Sequence, residues 1–411
     1  MATIGIIGGG IIGSATAAWL IAEGHKVTLF ERAPEEKPAS AGNAGFLALP
    51  EISPVSRPSV IASVPGWLID PLGPLALRMR DLPALTPWLS RFVAAARPHQ
   101  VAHATAALAF LMKTALADHQ ELARRGHLGE AMHRTGAFHI FDSERGLRAV
   151  EDEWAERTRH GVDVRPATVD EVRSVVPALR GPFTHALFAS DYWLVTSPAE
   201  VLAGLRRRTE SLAEFVAAEI VSLRSVADGV VLFDSAGVER RFDRIVVAAG
   251  IWSRDLVRQL GLSVSLETER GYNTTFAARP FDLPVPVFFA EHGFVACELA
   301  DGLRVGGGVE LARPDAPPNF ARAAAMVAKA RRYFPDIPSS GGRQWMGRRP
   351  STPDSLPVIG RHPQDNRIVF AFGHGHLGLT LSAVTARHVA GLLGDRLPDP
   401  LLKPFGIERF Q

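Results

Sequence analysis

The strongest constraint on this chain is a glycine-rich turn that joins an apolar strand to a helix near the first residue. Residues 3–7 are predicted as a short buried strand, residues 14–23 as a helix and residues 27–30 as a second strand. The segment between the first strand and the helix reads GGGIIG, which fits the pattern G-x-G-x-x-G. This order of elements is that of a parallel βαβ crossover, so the chain is predicted to begin with an α/β domain.

Each glycine of the turn has a physical role in this setting. Gly8 permits the tight turn, Gly10 lets the backbone approach a pyrophosphate, and Gly13 lets the helix pack on the strand. The helix N-terminus then faces the phosphates, and Glu31, at the end of the second strand, accepts the ribose hydroxyls. Because all these features occur together at the expected spacing, the sequence predicts a dinucleotide-binding site.

The same stretch has an alternative interpretation as a signal sequence or a membrane span, since residues 4–22 carry no charge. Its glycines argue against both. A secretory signal also needs positive charge ahead of its apolar core, whereas the first lysine, Lys26, follows it. We therefore expect a cytoplasmic protein.

Composition bounds the remaining function classes. The 411 residues exceed the roughly 250 to 300 at which a single core stops growing, so two domains are expected. The 45 basic and 43 acidic residues are mixed along the chain, which gives no basic footprint for nucleic acid. Cys297 is the only cysteine, so intramolecular disulfides and cysteine-rich metal sites are excluded. It is expected to be a buried small residue.

The expected fold class is α/β, or α+β overall, with a Rossmann-type domain and a second domain built on an antiparallel sheet. Short alternating segments bounded by turns indicate that sheet at residues 270–277, 285–290, 293–299 and 303–309. The chain is expected to leave the first domain and return to it. The predicted dinucleotide domain comprises residues 1–48, 196–262 and 340–411, and the predicted substrate domain comprises residues 49–195 and 263–339.

Motifs in the last seventy residues add a family resemblance. These are GRRPSTPD at 347–354, LPVIG at 356–360 and FGHGHLGLT at 372–380, together with SAGNAGF at 40–46 and RGY at 270–272. With the N-terminal turn, they resemble the D-amino-acid oxidase superfamily of FAD-dependent oxidoreductases. The nearest likeness is to bacterial D-amino-acid dehydrogenase and to D-proline and cis-4-hydroxy-D-proline dehydrogenases. The resemblance runs nearly from end to end.

The resemblance implies FAD as cofactor and assigns residues to it. The positions implied for the pyrophosphate are Gly8, Gly10, Ile11, Ile12 and Gly13. Those implied for the adenosine portion are Glu31, Arg32 and Ile220. Those implied beside the flavin are Asn43, Ala44, Gly45, Phe46, Ala249, Gly250 and Trp252. A second helix start, with amides toward the flavin pyrimidine ring, is implied for Gly373, His374, Gly375, His376, Leu377, Gly378, Leu379 and Thr380. Gly347 stands where the sarcosine-oxidase branch carries a flavin-linked cysteine, so the FAD is expected to be non-covalent.

The substrate site is predicted around Arg349, whose guanidinium would bind the substrate carboxylate bidentately. A surface arginine, or one paired with Asp354, is the alternative, and the family pattern selects Arg349 over Arg348 because it directly precedes proline. Tyr272 is the second catalytic candidate, with its hydroxyl on the same carboxylate or simply packed. For His374 and His376 a metal site is disfavoured, since no carboxylate or cysteine ligand accompanies them at the usual spacing, and they are expected beside flavin or substrate.

The reaction implied is hydride transfer from the substrate α-carbon to flavin N5, with oxygen or a quinone as the final acceptor. D-proline or cis-4-hydroxy-D-proline is favoured, because residues 65–75 resemble the branch that oxidises them. Three alternatives stay open: a glycine- or sarcosine-type oxidase, a nicotinamide dehydrogenase, and a non-catalytic FAD-bearing electron-transfer subunit. Residues 64–77 are expected to form either a lid over the substrate site or a peripheral membrane contact.

Overall fold

The computed structural model of the chain describes residues 1–70, 72–126, 128, 132–394 and 399–411. Its α-helices are α1 (Ile11–Ala22), α2 (Pro58–Ile69), α3 (Leu82–Ala95), α4 (Pro98–Gly126), α5 (Glu144–Arg148), α6 (Glu151–Arg159), α7 (Val169–Val175), α8 (Pro198–Leu212), α9 (Ser253–Gln259), α10 (Ala321–Ala330) and α11 (Ser382–Leu393).

The strands β1 to β10 are, in chain order, Thr3–Ile7, Lys26–Glu31, Phe46–Ala48, Leu75–Leu77, Met132–Arg134, Ala137–Phe141, Val164–Ala167, His185–Ala189, Tyr192–Val195 and Glu214–Ala217. The strands β11 to β21 are Ile220–Val226, Gly229–Asp234, Glu239–Phe242, Arg244–Val247, Glu267–Phe276, Val287–Phe289, Phe294–Leu299, Gly302–Leu311, Arg343–Ser351, Val358–His362 and Asp365–Phe372.

A six-stranded sheet carries the N-terminal turn. Its order is β10-β2-β1-β14-β21-β20, and its pairs are parallel except the last, between β21 and β20. In β1, Ile4 and Ile6 pack with α1 and α11, whereas Ile7 packs with the small sheet β11-β12-β13 on the other face. Alternate residues are therefore apolar on both sides, as a sheet covered on both faces requires. The predicted Rossmann-type element is confirmed.

A second, nine-stranded sheet follows the order β19-β15-β18-β17-β16-β6-β8-β7, and β4 pairs with β18 outside this path. It contains the four strands predicted from residues 270–309, so the mixed fold class is confirmed. Strand β19 pairs with β15 from Arg343 to Ser351. The predicted boundary at residue 340 assigns β19 to the dinucleotide domain, whereas the hydrogen bonds of β19 join it to the nine-stranded sheet.

Three stretches of the chain each contain two successive elements of the same type. Residues 186–194 form two strands, β8 and β9, which join different sheets. Residues 145–160 form the helices α5 and α6, and residues 215–223 contribute to β10 and β11.

The segment 64–77 includes the end of α2 and strand β4, while residue 71 lies outside the described residues. Across the described ranges, no helix combines the length and the apolar character needed to cross a membrane.

Candidate active site

A cavity of about 1080 Å³ lies between the two large sheets. One part of its wall comes from the turn after β1, including Gly8 and Gly10, and another from β19, including Gly347 and Arg349. A volume of this size exceeds that of most pockets for drug-sized molecules, which reach roughly 1000 Å³. The cavity therefore has room for a large cofactor and a small substrate together.

The glycine turn has the geometry that its sequence predicts. Gly8 has a φ of +109°, and a side chain on it would collide with the carbonyl oxygen of Ala248. A side chain on Gly13 would collide with the carbonyl oxygen of Gly8. At Gly10 the space is open, since the heavy atom nearest to the place that a Cβ would take is Ser40 Oγ, at 3.9 Å. Gly8 and Gly13 are therefore required by close backbone packing, whereas Gly10 leaves open space before α1.

Glu31 is held at the end of β2 by three donors. Its carboxylate accepts hydrogen bonds from the amides of Gly9 (3.0 Å) and Ala33 (3.2 Å) and from Arg206 Nη2 (3.2 Å). Arg206 also donates from Nε to the carbonyl of Gly9 (2.9 Å). The sequence does not point to Arg206, because it lies on α8, far along the chain, and nothing in its local sequence distinguishes it from its arginine neighbours.

The other two residues implied for the adenosine portion, Arg32 and Ile220, also line the cavity, as do three residues implied beside the flavin. The Arg32 guanidinium lies 3.5 Å from the ring centre of Trp252, a cation–π distance. Ile220 is 8% exposed and begins β11 at an irregularity in its pairing with β12. Ala249 and Gly250 follow the carboxyl end of β14 and also line the cavity.

The loop 40–46 is folded by its own polar groups. Asn43 donates from Nδ2 to the carbonyl of Ser40 (2.6 Å) and accepts at Oδ1 from the amide of Gly45 (2.6 Å). Asn43, Ala44 and Phe46 line the cavity. Gly45 is not among the lining residues. Its φ of +80°, and the carbonyl oxygen of Val195 with which a side chain would collide, give it a role in the turn. Cys297 is fully buried behind the loop, as predicted.

The turn 373–380 approaches the cavity from the C-terminal side. It contains the short 3-10 turn Gly375–Leu377, and α11 begins only at Ser382. His374 is buried with its Nε2 3.0 Å from Thr385 Oγ1, and burial lowers its pKa to about 3. His374 is therefore neutral at pH 7. It also lines the cavity, so its expected place beside flavin or substrate stays a prediction. All eight residues of the turn line the cavity.

His376 faces into the cavity and keeps accessible surface there, although protein surrounds it. This enclosure lowers its pKa to about 4; Glu51 opposes the shift, whereas Arg349, Arg57 and Arg157 add to it. Its imidazole is neutral at pH 7. Across the described residues, no group of three or more His, Cys, Asp or Glu side chains is arranged to hold a metal ion.

Arg349 extends from β19 across the backbone of Gly271, where any side chain would collide with the guanidinium. Glu269 lies directly opposite it on β15 and is 6% exposed. Burial lowers the pKa of Arg349 and raises that of Glu269, and the attraction between the two charges opposes both shifts. Among the described residues, none is in hydrogen-bonding position to the Arg349 guanidinium. It is a cation inside the cavity with its donors available.

Two alternatives for Arg349 can be compared with this geometry. Asp354 pairs with Arg409, at 2.9 Å between Oδ2 and Nε, and is not the partner of Arg349. Arg348 points to the other face of β19 and donates from Nε to the carbonyl of Pro314 at 2.8 Å.

Tyr272 does not meet Arg349. Because Glu269 pairs with Arg349, strand alternation places Tyr272 on the opposite face of the sheet. Its hydroxyl donates to Glu310 Oε2 (2.5 Å) and accepts from the amide of Asn319 (3.0 Å). The prediction that Tyr272 binds the same carboxylate as Arg349 is not supported by this arrangement, since its hydroxyl is already bonded and its ring is 1% exposed.

Gly347 lies two residues before Arg349 on the same face and is covered by the ring of Trp345, with which any side chain at 347 would collide. The same ring contacts Gly42 of the loop 40–46. The absence of a side chain at 347 therefore has a packing reason, and non-covalent attachment of the cofactor stays a prediction.

The residues present fit an FAD. The space before α1 is kept clear at Gly10, the Glu31 carboxylate is fixed beside it, and the cavity continues past the loop 40–46 to the turn 373–380. A helix N-terminus facing a phosphate and an acidic residue beside a ribose are the interactions that a dinucleotide requires.

Comparisons with known proteins agree with this geometry. The family model described as FAD dependent oxidoreductase matches residues 3–392. A protein named D-amino-acid oxidase, from Bradyrhizobium diazoefficiens, is 35% identical over 415 residues, covering 99% of this chain and 98% of the relative. A protein named D-amino acid dehydrogenase, from Paramagnetospirillum magneticum, is 31% identical, covering 98% of each chain.

Among solved structures, glycine oxidase from Geobacillus kaustophilus superposes with a TM-score of 0.75 at 23% identity, over 99% of both chains. This likeness shows a shared fold. The family match extends over nearly the whole chain, and both relatives are aligned over almost their full lengths. The protein therefore belongs to the family of FAD-dependent oxidoreductases, as an enzyme that resembles D-amino-acid oxidases and dehydrogenases.

Proposed function

We propose that the protein oxidises a small D-amino acid or cyclic D-imino acid, with D-proline or cis-4-hydroxy-D-proline as the favoured substrate. The observation that carries this proposal is the Arg349 guanidinium, which lies inside the cavity with no hydrogen-bond partner among the described residues. A partly buried cation that keeps its donors available suits a small carboxylate. An electron-transfer subunit would have no need for such a group.

The chain's own residues bind and orient the substrate. Arg349 would pair with the carboxylate and so fix the position of the α-carbon, and the negative charge of Glu269, opposite it on β15, attracts the guanidinium. Neutral His376 offers an acceptor to a neutral amine and adds no positive charge next to Arg349. FAD, when bound, supplies the acceptor for the hydride that leaves the α-carbon. If the substrate amine binds in its neutral form, no residue has to remove a proton from it before the hydride leaves.

The wall beside Phe46 supports a compact, partly apolar substrate. The Phe46 ring lies 5.3 Å from the ring of Phe288 and 6.0 Å from that of Tyr192. Aromatic faces of this kind suit a five-membered ring. The relatives named D-amino-acid oxidase and D-amino acid dehydrogenase support the D configuration.

Replacement of Arg349 tests the proposal. Arg349→Ala is expected to lower kcat/KM for the best D-substrate by roughly a thousandfold or more, because two charge-assisted hydrogen bonds are lost. The assay is anaerobic bleaching of the flavin in the purified holoenzyme, over D- and L-amino acids, glycine, sarcosine and D-proline derivatives. Arg348→Lys is the matched control, since Arg348 lies on the other face of β19, and its kcat/KM is expected within threefold of wild type. Equal losses in both variants would contradict the role of Arg349.

Separate measurements test the preference for a cyclic substrate, the electron acceptor and the role of segment 64–77. Turnover of linear D-amino acids with none of D-proline derivatives would remove the cyclic preference. Rapid oxygen consumption by the reduced enzyme would favour an oxidase, and dependence on a quinone dye would favour a dehydrogenase. The described part of segment 64–77 lines the cavity through Val64, Trp67, Leu75 and Leu77, which supports a lid, and recovery in the membrane fraction would contradict it.

A further inference from the structure

A polar cluster interrupts the apolar wall of the cavity at Glu51. This residue follows β3, lines the cavity and keeps 21% of its side chain accessible. Arg157 clamps its carboxylate with Nη1 on Oε1 (3.2 Å) and Nη2 on Oε2 (2.8 Å), and the Tyr192 hydroxyl donates to Oε1 (2.5 Å). Burial raises the pKa of Glu51, but Arg157 and Tyr192 outweigh it and hold the pKa well below its usual range. Glu51 is thus a rigid anion.

The hydrogen bonds leave one acceptor position on this carboxylate unused. A carboxylate offers about four lone-pair positions, two on each oxygen. Within the described residues Oε1 accepts from Arg157 and Tyr192, whereas Oε2 accepts from Arg157 alone. The open position is therefore on Oε2, on a side chain that borders the cavity.

The charges around Glu51 favour a neutral donor over a cation at that position. Glu153 accepts from Arg157 at 2.5 Å and pairs with Arg57 at 2.7 Å. The two negative charges of the glutamates and the two positive charges of the arginines therefore cancel within this cluster. A substrate ammonium would lose its hydration without a net negative field to offset the cost, whereas a hydroxyl would gain a charge-assisted hydrogen bond from Glu51 at a smaller desolvation cost.

A second polar atom beside Glu51 also lacks a partner. His139 is 7% exposed, lines the cavity and stacks on Phe288 at 4.6 Å between ring centres. Its Nε2 is buried and has no hydrogen-bond partner among the described residues. The rings of His139 and Tyr192 are 5.6 Å apart, so this atom belongs to the same cluster. Buried polar atoms without partners are rare in native proteins and call for an explanation.

We propose that Glu51, held by Arg157 and Tyr192 beside His139, is a specificity-determining residue that accepts a hydrogen bond from a hydroxyl on the substrate's ring or side chain. This inference rests on the proposed function and narrows its substrate class to hydroxylated D-amino or D-imino acids. Arg349 binds the carboxylate end, and Glu51 binds the distal hydroxyl. A substrate without the hydroxyl leaves the open acceptor of Glu51 unpaired, which is the means by which polar sites discriminate strongly.

The wild-type holoenzyme provides the first test. We would measure kcat/KM for two pairs that differ by a γ-hydroxyl: cis-4-hydroxy-D-proline with D-proline, and D-homoserine with D-2-aminobutyrate. The hydroxylated member of at least one pair is expected to be preferred by at least roughly tenfold. D-2,4-diaminobutyrate, which carries an ammonium at the same carbon, is expected to be poorer than D-homoserine. No preference for the hydroxyl, or preference for the ammonium, would overturn the proposal.

Glu51→Gln and Glu153→Gln form a matched pair of variants. Each removes one negative charge next to Arg157, but both oxygens of Glu153 are already bonded to arginines. Glu51→Gln is expected to reduce the hydroxyl preference to threefold or less, while Glu153→Gln keeps it. An unchanged preference in Glu51→Gln, or equal losses in both variants, would contradict a direct role. Flavin absorbance and thermal unfolding would verify that both variants fold.

Failure of this inference can be told from failure of the proposed function. An active enzyme without hydroxyl preference contradicts only the role of Glu51. Activity on the linear pair alone contradicts only the cyclic preference. No flavin bleaching by any amino acid would overturn both proposals, and the wild-type measurements need no variant.

Discussion

Single residues decide whether the cofactor can approach the backbone. Gly8 and Gly13 are confined by protein atoms, whereas Gly10 has a φ of −68° that any residue can adopt and an open space before it. The same residue type therefore has two separable roles in one turn. A substitution at Gly10 should affect cofactor binding without affecting the fold.

We predict that Gly10→Ala leaves the thermal stability of the apoprotein within about 1 °C of wild type but weakens FAD binding at least tenfold. The added methyl group occupies the space that a pyrophosphate needs. Isothermal titration of the apoprotein with FAD, with unfolding followed by circular dichroism, measures both quantities. Gly13→Ala is the comparison, because its collision with the Gly8 carbonyl should destabilise the apoprotein itself. Unchanged FAD affinity in Gly10→Ala would contradict this assignment.

At the scale of elements, one hydroxyl joins two segments that the family resemblance implies beside the flavin. Thr380 Oγ1 accepts from the amide of Ala48 (3.1 Å) and lies 3.3 Å from the carbonyl of Phe46, to which it donates. The loop leading into β3 and the turn before α11 are thereby held in one arrangement. Thr380 is one of the cofactor residues that the family resemblance implies, and its hydroxyl has a positioning role.

Thr380→Val is expected to lower the free energy of unfolding by about 1–3 kcal/mol, because the buried amide of Ala48 loses its acceptor. FAD affinity should fall as well, since β3 is no longer fixed against the turn. Chemical denaturation and FAD titration are the measurements. Thr209→Val, which removes a buried hydroxyl bonded to Leu205 within α8, is the control and should leave FAD affinity unchanged. A fall in FAD affinity in both variants would point to general loosening.

The whole molecule responds to pH through its buried neutral histidines. His374 has a folded-state pKa of about 3, lowered by burial from an ordinary value of 6.5. Because the unfolded chain binds the proton first, this contribution to stability is complete above pH 6.5 and is lost as pH falls toward 3. Acidification should therefore destabilise the protein before its carboxylates titrate.

Between pH 7.5 and pH 5.0, His374 alone should cost the wild type about 2 kcal/mol of unfolding free energy. Over the same interval, the unfolding free energy of His374→Gln should fall by about 2 kcal/mol less than that of the wild type. Urea denaturation of the holoenzyme at both pH values measures the difference. His99→Gln, at an exposed position on α4, should show the wild-type dependence. The same pH dependence in His374→Gln as in the wild type would contradict the buried neutral state.

The sequence by itself determined the cofactor half of this protein. The elements around Gly8, Gly10 and Gly13 follow one another within about thirty residues, and the collision that requires a glycine at 13 is with the nearby carbonyl of Gly8. The position of Arg349 before a proline was also readable, since it depends on a contiguous motif. These features need no knowledge of which distant strands pair.

Only the tertiary structure decided the substrate half. The register of β15 against β19 sets Glu269 beside Arg349 and places Tyr272 on the other face of the sheet. A shift of one residue in this register would put Tyr272 on the face of Arg349 and Glu269 on the opposite face. Arg206, on α8, donates a hydrogen bond to Glu31. Arg157, on α6, donates to Glu51, which lies more than a hundred residues before it in the chain. Strand register and helix packing depend on contacts between distant segments, which local patterns of residues do not encode.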